Sequence, residues 1–160
     1  MWPDQRLTRK AEPRPVDEAL LAIGERLRAA ADAAGAYGLA AVHIGAVAPV
    51  AVISTAADPD KRNYLVLFNP EILSLDGDAV EAPEGSVSMP GLQAPVSRPH
   101  RVRIAYDDEM GTRHVSDLEA LPARIAQHEI DQVNGIFFLE RLSRLKRDMA
   151  IKRWKKSQAA

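Results

Sequence analysis

The residues most able to do chemistry lie in the segment 127–132, which reads Gln-His-Glu-Ile-Asp-Gln. It differs by one letter from H-E-x-x-H, a helical pattern whose two His hold a metal ion while the Glu activates a metal-bound water. His128 and Glu129 are present here, but Gln132 takes the place of the second His. A neutral amide is a weaker ligand than imidazole for zinc or ferrous iron. The segment therefore predicts the frame of a hydrolytic metal site that lacks one ligand.

Two further segments give this fragment a context. Residues 36–45 read Ala-Tyr-Gly-Leu-Ala-Ala-Val-His-Ile-Gly, and residues 84–90 read Glu-Gly-Ser-Val-Ser-Met-Pro. With residues 127–135 they resemble, in order and spacing, the three motifs of the peptide deformylase family: G-x-G-L-A-A-x-Q-x-G, E-G-C-L-S-x-P and Q-H-E-x-D-H-x-x-G. Smaller matches extend the resemblance over nearly the whole chain and lie at residues 3–7, 68–70 and 96–98.

This resemblance implies both an activity and a fold. Peptide deformylases remove the formyl group from the N-terminal methionine of new proteins. Their fold is α+β, with antiparallel sheets around a central helix that bears the metal motif. The metal, often Fe²⁺, is held by the Cys and the two His of the motifs, while the Glu moves a proton of the metal-bound water. The Gln of the first motif and a backbone N–H after the Cys stabilise the oxyanion.

The family's ligand set is incomplete in this chain. By resemblance, Ser86 stands at the position of the Cys ligand, Gln132 at the second His and His43 at the oxyanion Gln, while His128 and Glu129 are kept. A serine hydroxyl is not ionised at neutral pH, and one imidazole retains only part of the roughly 10 kcal/mol that a full ligand set contributes. We therefore expect no tightly bound metal in the usual geometry and an impaired or absent deformylase activity.

The remaining site positions follow from the same resemblance. Val87 supplies the backbone N–H of the oxyanion site, so Glu129, His43 and Val87 occupy the catalytic positions. The positions expected to contact a peptide are Tyr37, Gly38, Gly85, Arg98, Leu121 and Ile125.

Three local arrangements remain open from the residues alone. His43 and Gln132 amount to an exchange of His and Gln, so His43 and His128 could bind iron, zinc or nickel at a rearranged site and sustain amide hydrolysis. Alternatively, His43 and Gln132 hydrogen-bond across a vacated pocket, and a neighbouring residue orients His128. In a third arrangement Ser86 is a nucleophile with His128 as its base. Glu129 is poorly placed to orient that base, because adjacent helical side chains diverge by about 100°.

The elements that must position these residues mix helices and strands without regular alternation, which favours an α+β class. Apolar spacing and turn residues predict a helix over 16–34, strands at 51–54, 64–68 and 102–106, a turn at 107–111 with a returning strand at 112–115, and the motif helix over 122–134. Asn69 and Pro70 are expected to end the second strand, and residues 82–99 to be irregular or edge structure. A basic helix at about 141–160 closes the single domain, 1–160.

Composition and charge limit the partners. Hydrophobic residues at 46% and charged residues at 27% are typical of a soluble globular protein. The absence of Cys and of any apolar run near 18 residues leads us to expect a cytoplasmic protein without a membrane span. Residues 141–160 carry eight Lys or Arg against one Asp, which leaves −8 for residues 1–140 from the net charge of −1.

The charge asymmetry allows two interpretations of the tail. Basic residues 141–156 could dock on the ribosome, as the resemblance implies, or could form a solvated helix end without a nucleic-acid partner. DNA is not an expected partner. The other expected partners are formylated or free peptide N-termini, which would enter the cleft that the motifs surround.

Overall fold

The computed structural model describes residues 1–160 and contains one antiparallel sheet and three α-helices. The five strands are neighbours in chain order, so the sheet is a simple meander. The elements are α1 (Glu18–Ala34), β1 (Gly38–Ala40), β2 (Val50–Ser54), β3 (Tyr64–Glu84), β4 (Ala94–Asp107), β5 (Arg113–Glu119), α2 (Ala120–Val133) and α3 (Arg144–Gln158). The expected α+β class is confirmed.

Helix α1 begins and ends at residues that satisfy its free backbone groups. The Asp17 side chain accepts a hydrogen bond from the backbone N–H of Leu20 at 2.8 Å, and Gly35 ends the helix at φ +60°. A residue other than glycine would be strained in that left-handed conformation. Leu20 and Leu27 are fully buried against the face of the sheet that includes Val52. This packing fixes β1, which follows directly, against β2.

Helix α2 is buried on most of its surface, which is unusual for a helix with so many polar residues. Ile125 and Ile130 pack against Ile53, Leu67 and Ile104 of the sheet. Four polar side chains on the same helix are also buried: Gln127, Glu129, Asp131 and Gln132. Buried polar groups destabilise a fold unless they are hydrogen-bonded. Their partners therefore determine what the motif on this helix can do.

One expectation about the sheet is wrong. Asn69 and Pro70 do not end a strand, because β3 continues through them to Glu84. The register of β3 and β4 shifts between Phe68 and Glu71, and Asn69 has a φ of +48° there. A bulge of this kind accommodates a proline, which cannot donate a hydrogen bond to the neighbouring strand.

Residues 82–99, expected to be irregular or edge structure, contain both. Residues 82–84 pair with residues 94–96, and only residues 85–93 lie outside the strands. Pro95 and Pro99 fit in β4 because β5 pairs with β4 only from Arg101 onward. The first half of β4 is therefore an edge, where a missing N–H donor is tolerated.

The chain after α2 confirms the expected terminal helix. Gly135, at φ +77°, lies two residues beyond the end of α2, and Ser143 caps α3 through the backbone N–H of Lys146. Ala150 is the only buried residue of α3, and Ile151 and Trp154 pack beside it. None of the helices combines the length and the apolar character required to cross a bilayer.

Candidate functional site

A cleft of about 820 Å³ lies between β1, the loop 85–93 and the first turns of α2. Its volume falls within the range of small-molecule and peptide sites. His43, His128 and Glu129 all line it, and we call these three side chains the floor. Ser86 lines it from the loop, and Arg153 of α3 contributes to the lining from the terminal helix.

Gly38 allows the floor to form. A Cβ atom at this position would lie 2.8 Å from Cγ2 of Ile125, 2.9 Å from Cγ of Glu129 and 2.9 Å from the backbone oxygen of Val52. Such contacts are shorter than packed carbon atoms tolerate. Glycine at this position therefore lets α2 approach the β1–β2 pair closely.

His128 is held in one orientation by a buried carboxylate. Its Nδ1–H donates to Oε1 of Glu84 at 2.8 Å, and its Nε2 lies 4.0 Å from Oε1 of Glu129. Burial opposes protonation of His128, but the hydrogen bond to Glu84 and the nearby charge of Glu129 outweigh it and raise the pKa. The ring is thus fixed with Nδ1 protonated and Nε2 turned toward Glu129.

Glu84 is the centre of a buried ionic network. It accepts hydrogen bonds from Nε and Nη2 of Arg98 at 2.6 and 2.9 Å, and from Nη1 of Arg124 at 2.6 Å, in addition to the bond from His128. Burial alone would raise the pKa of Glu84, but the bonds from His128 and Arg98 lower it to about 2. Glu84 is therefore ionised over the whole physiological range.

The same network continues from the site to the surface. Arg98 also donates to Asp131 at 2.9 Å, and Asp131 accepts two bonds from Arg141 at 2.9 and 2.6 Å. Arg98 and Asp131 are both buried, whereas Arg141 is partly exposed. This chain of ion pairs connects the second motif, β4 and α2 with the segment before α3.

Glu129 accepts no hydrogen bond from a cationic side chain, and Nε2 of His128 lies 4.0 Å from its Oε1. Its Oε2 atom is buried and makes no hydrogen bond. Burial raises the pKa of Glu129 to about 7, since the attraction of His128 only partly offsets the loss of hydration. The side chain is thus present in both ionisation states near neutral pH.

His43 is fixed by its own backbone. The backbone N–H of Ala40 donates to Nδ1 of His43 at 3.2 Å, and Nε2 is buried without a partner. Burial and the charge of His128 lower the pKa of His43 to about 4, so the ring is neutral at neutral pH. A neutral imidazole whose Nδ1 accepts a hydrogen bond carries its proton on Nε2.

Ser86 and Gln132 are both engaged with backbone groups. The hydroxyl oxygen of Ser86 accepts from the backbone N–H of Ser88 at 3.1 Å, within the loop. Gln132 Nε2 donates to the backbone oxygen of Leu7 at 2.6 Å, and the residue does not line the cleft. No hydrogen bond joins His43 to Gln132 or Ser86 to His128. The expectation that a neighbouring residue orients His128 is confirmed, and that residue is Glu84.

The metal that the resemblance implies does not fit these residues. No group of three or more His, Asp or Glu side chains is arranged to hold an ion. A metal ion bound to Nε2 of His43 would have to displace the proton that the hydrogen bond from Ala40 places on that atom. Neither the usual ligand positions nor the rearranged pair of His43 and His128 therefore offers a suitable donor set.

The other predicted positions divide into two groups. Six of them line the cleft: Tyr37, Gly38, Gly85, Val87, Leu121 and Ile125. Arg98 does not, because it is buried behind Glu84. Sequence reasoning missed Glu84 and Asp131 as the partners of Arg98 and His128. One feature of the sequence pointed to these two partners: both are acidic residues within the motif segments 84–90 and 127–135.

Comparisons with known proteins agree with the motifs. The family model described as polypeptide deformylase matches residues 1–148. A peptide deformylase-like protein of Bradyrhizobium diazoefficiens is 42% identical over 97% of this chain and 90% of its own length. A peptide deformylase of Agrobacterium fabrum is 37% identical over 89% of this chain and 84% of its own.

Solved structures give the same result for the fold. A peptide deformylase of Legionella pneumophila superposes with a TM-score of 0.86 at 35% identity and covers 99% of this chain and 92% of its own. The peptide deformylase of Ehrlichia chaffeensis in complex with actinonin gives 0.88 at 30% identity, over 99% and 95%. The chain belongs to the polypeptide deformylase family.

Proposed function

We propose that this protein binds the methionyl N-terminus of peptides, formylated or free, and does not catalyse metal-dependent deformylation. The observation that carries the proposal is the state of the two substituted ligand positions. Gln132 is bonded to a backbone oxygen outside the cleft and Ser86 to a backbone N–H. The cleft itself remains open and lined by residues of all three motifs.

The energetics support the loss of the metal. Returning Gln132 to the cleft would leave the buried carbonyl of Leu7 without its donor, at a cost of about 1–3 kcal/mol. The amide that arrived would still be a weak ligand. His128 would then be the only imidazole available, since the Ala40 hydrogen bond fixes His43 in the unsuitable tautomer.

The cleft retains the features of a peptide site. Leu121, Ile125 and Val87 offer apolar surface for an unbranched side chain such as methionine. Val87 is 44% exposed, so part of this surface is open to solvent. Removing such apolar surface from water favours binding. Polar groups on the floor lie beside this surface, where the terminal amine or acyl group of the peptide would lie.

Calorimetry with formyl-Met-Ala-Ser and Met-Ala-Ser tests the proposal, together with an assay for released formate. We expect binding without turnover. Val87→Glu should abolish binding, because it places a charge on the apolar wall of the cleft. Val115→Glu is the matched control, since Val115 is an exposed valine, at 59%, on β5 outside the cleft. Formate release that depends on Glu129, or absence of peptide binding, would refute the proposal.

A reversal experiment separates a lost metal site from a changed cleft. The triple change Ser86→Cys, Gln132→His and His43→Gln restores the family's residues at the three substituted positions. We expect it to bind a divalent metal and to release formate from formyl-Met-Ala-Ser. A protein that binds metal but not peptide would show that the cleft has a different ligand.

We also propose that α3 docks on ribosomal RNA. Ala150 is the only buried residue of this helix, so its Lys and Arg side chains are available to phosphates. Lys152→Gln with Lys156→Gln should weaken ribosome co-sedimentation and reduce its salt dependence. Arg26→Gln with Arg28→Gln, two basic residues of α1, is the control. Equal co-sedimentation of the first pair and the native protein would remove this role.

A further inference from the structure

The step from Asp76 to Gly77, within β3 and outside the cleft, brings together two groups that can react with each other. The register of β3 and β4 shifts between Asp76 and Ala79, and Gly77 there has a φ of +80°. The Asp76 side chain is 73% exposed. Gly77 has no side chain that could hinder access to its own backbone nitrogen. The step therefore combines an accessible carboxyl group with an unhindered amide.

The amide and the carboxyl group are in direct contact. The backbone N–H of Gly77 donates to Oδ1 of Asp76 at 2.7 Å. The N–H bond is thus directed at the carboxyl group of the preceding residue. When the amide loses its proton, the lone pair that remains on nitrogen points the same way. Attack of this nitrogen on Cγ of Asp76 closes a succinimide ring.

The step from Asn134 to Gly135 has the opposite geometry. By sequence it is the more reactive of the two, because ammonia leaves an amide more readily than water leaves an ionised carboxylate. The N–H of Gly135, however, donates to the backbone oxygen of Gln132 at 3.0 Å. Gly135 is also buried, and a Cβ atom there would lie 2.7 Å from the backbone oxygen of Thr8. The fold therefore protects this step.

Arg101 slows the reaction at Asp76. Its Nη2 donates to Oδ2 of Asp76 at 2.8 Å. The hydrogen bond from Gly77 and the charge of Arg101 lower the pKa of Asp76. An ionised carboxylate has no hydroxyl group to leave as water, so only the small protonated fraction reacts. Arg101 keeps that fraction small.

We infer that Asp76 and Gly77 form a site of spontaneous isoaspartate formation that Arg101 restrains. The Gly77 nitrogen bonds to Cγ of the protonated Asp76 carboxyl group, whose hydroxyl leaves with the amide proton as water. Water then adds to the backbone carbonyl carbon of Asp76 and breaks its bond to the Gly77 nitrogen. The chain now runs through the former side chain, and the backbone carboxyl group is free. Water lost in the first step is regained in the second, so the composition is unchanged.

The product extends the main chain at a point where β3 is already out of register with β4, so the bulge accommodates it. Its carboxylate moves onto the main chain and away from its place opposite Arg101. An exposed isoaspartyl carboxylate is the group that protein isoaspartyl methyltransferases accept. The aged protein is therefore a substrate for such an enzyme.

Ageing of the full-length protein at neutral pH tests the site. Isoaspartate is measured by methyl transfer from labelled S-adenosylmethionine and located by fragmentation of proteolytic peptides. We expect label at Asp76 ahead of Asn134 in the folded protein, and the reverse order after unfolding in urea. Label at Asn134 ahead of Asp76 in both states, or no label at Asp76, would overturn the inference.

Two arginine variants test the restraint. Arg101→Gln should raise the rate of labelling at Asp76 severalfold. Arg103→Gln is the matched control, because Arg103 makes a similar ion pair with Asp117 at 2.8 Å, but Asp117 precedes Leu118 rather than glycine. Both pairs are exposed, so neither change should unfold the protein. Equal rates in the two variants would contradict the restraint, and label that persists in Asp76→Glu would place the reaction elsewhere.

Discussion

Replacing Glu84 by Gln tests whether the buried ionic network holds the site together. Glu84 is 4% exposed and accepts four hydrogen bonds from Arg98, Arg124 and His128. Gln is nearly isosteric, so the substitution removes the charge with little change of volume. The three cationic partners would then remain around a neutral amide. We expect a loss of stability that spreads from the loop 85–93 to α2.

Two separate arguments give the expected loss in the free energy of unfolding of Glu84→Gln. Breaking a buried ion pair by removing one partner costs about 3–5 kcal/mol. The pKa of Glu84 is about 2 in the fold against an ordinary 4.5. That difference corresponds to about 3 kcal/mol of linked stability. Because the folded pKa is lowered, this contribution is complete above pH 4.5 and is lost as the pH falls toward 2.

Urea unfolding at pH 7 and over pH 2–6 measures both quantities. Asp117→Asn is the matched control, because Arg103 donates to Asp117 from Nε and Nη2 at 2.8 and 3.0 Å in a similar paired geometry. That side chain is 69% exposed, so its loss should change stability very little. Equal losses in the two variants, or a Glu84→Gln protein with the native acid dependence, would refute this reasoning.

Three further substitutions have defined outcomes. Gly38→Ala should lower the free energy of unfolding by about 1–3 kcal/mol through overpacking against Ile125 and the backbone of Val52, as urea unfolding would show, and an unchanged midpoint would contradict the close approach. Glu129→Gln should stabilise the protein by up to about 3 kcal/mol at pH 8 but little at pH 4. The pKa of Glu129 is raised to about 7 in the folded protein, so the stability of the native protein falls as the pH rises from 4.5 to about 7. Equal effects of the substitution at pH 4 and pH 8 would exclude this origin. Gln132→Leu should cost about 1–3 kcal/mol in thermal unfolding by leaving a buried backbone carbonyl unpaired, and a neutral result would mean that the carbonyl finds another partner.

The parts of the fold that were predicted correctly depend on local signals. The α1 helix has an apolar face and a glycine stop, and α2 has Pro122 in its first turn and Gly135 beyond its end. Such caps act within a few residues, so they are visible in the sequence. The long β3–β4 hairpin was not predicted, because whether a strand tolerates proline depends on which neighbouring strands pair with it. Only the pairing pattern shows that the first half of β4 is an edge.

The candidate site could be predicted only in part, because motif spacing is visible in the sequence and long-range hydrogen bonds are not. Motif spacing brought His43, Ser86, His128 and Glu129 to one cleft, as expected for residues that act together. It did not reveal that Gln132 turns to a backbone oxygen 125 positions away. It also did not reveal the tautomer of His43, which depends on a single backbone N–H. Hydrogen bonds of this kind depend on the packed structure and have no sequence period.

The central claim is that the three substituted positions leave no metal at the floor. Metal analysis of protein purified anaerobically tests it directly, with the triple variant Ser86→Cys, Gln132→His and His43→Gln prepared in parallel. We predict well under one equivalent of iron, zinc or nickel in the native protein, unchanged by His128→Ala, and close to one equivalent in the triple variant. Near-stoichiometric metal in the native protein that is lost in His128→Ala would contradict the claim.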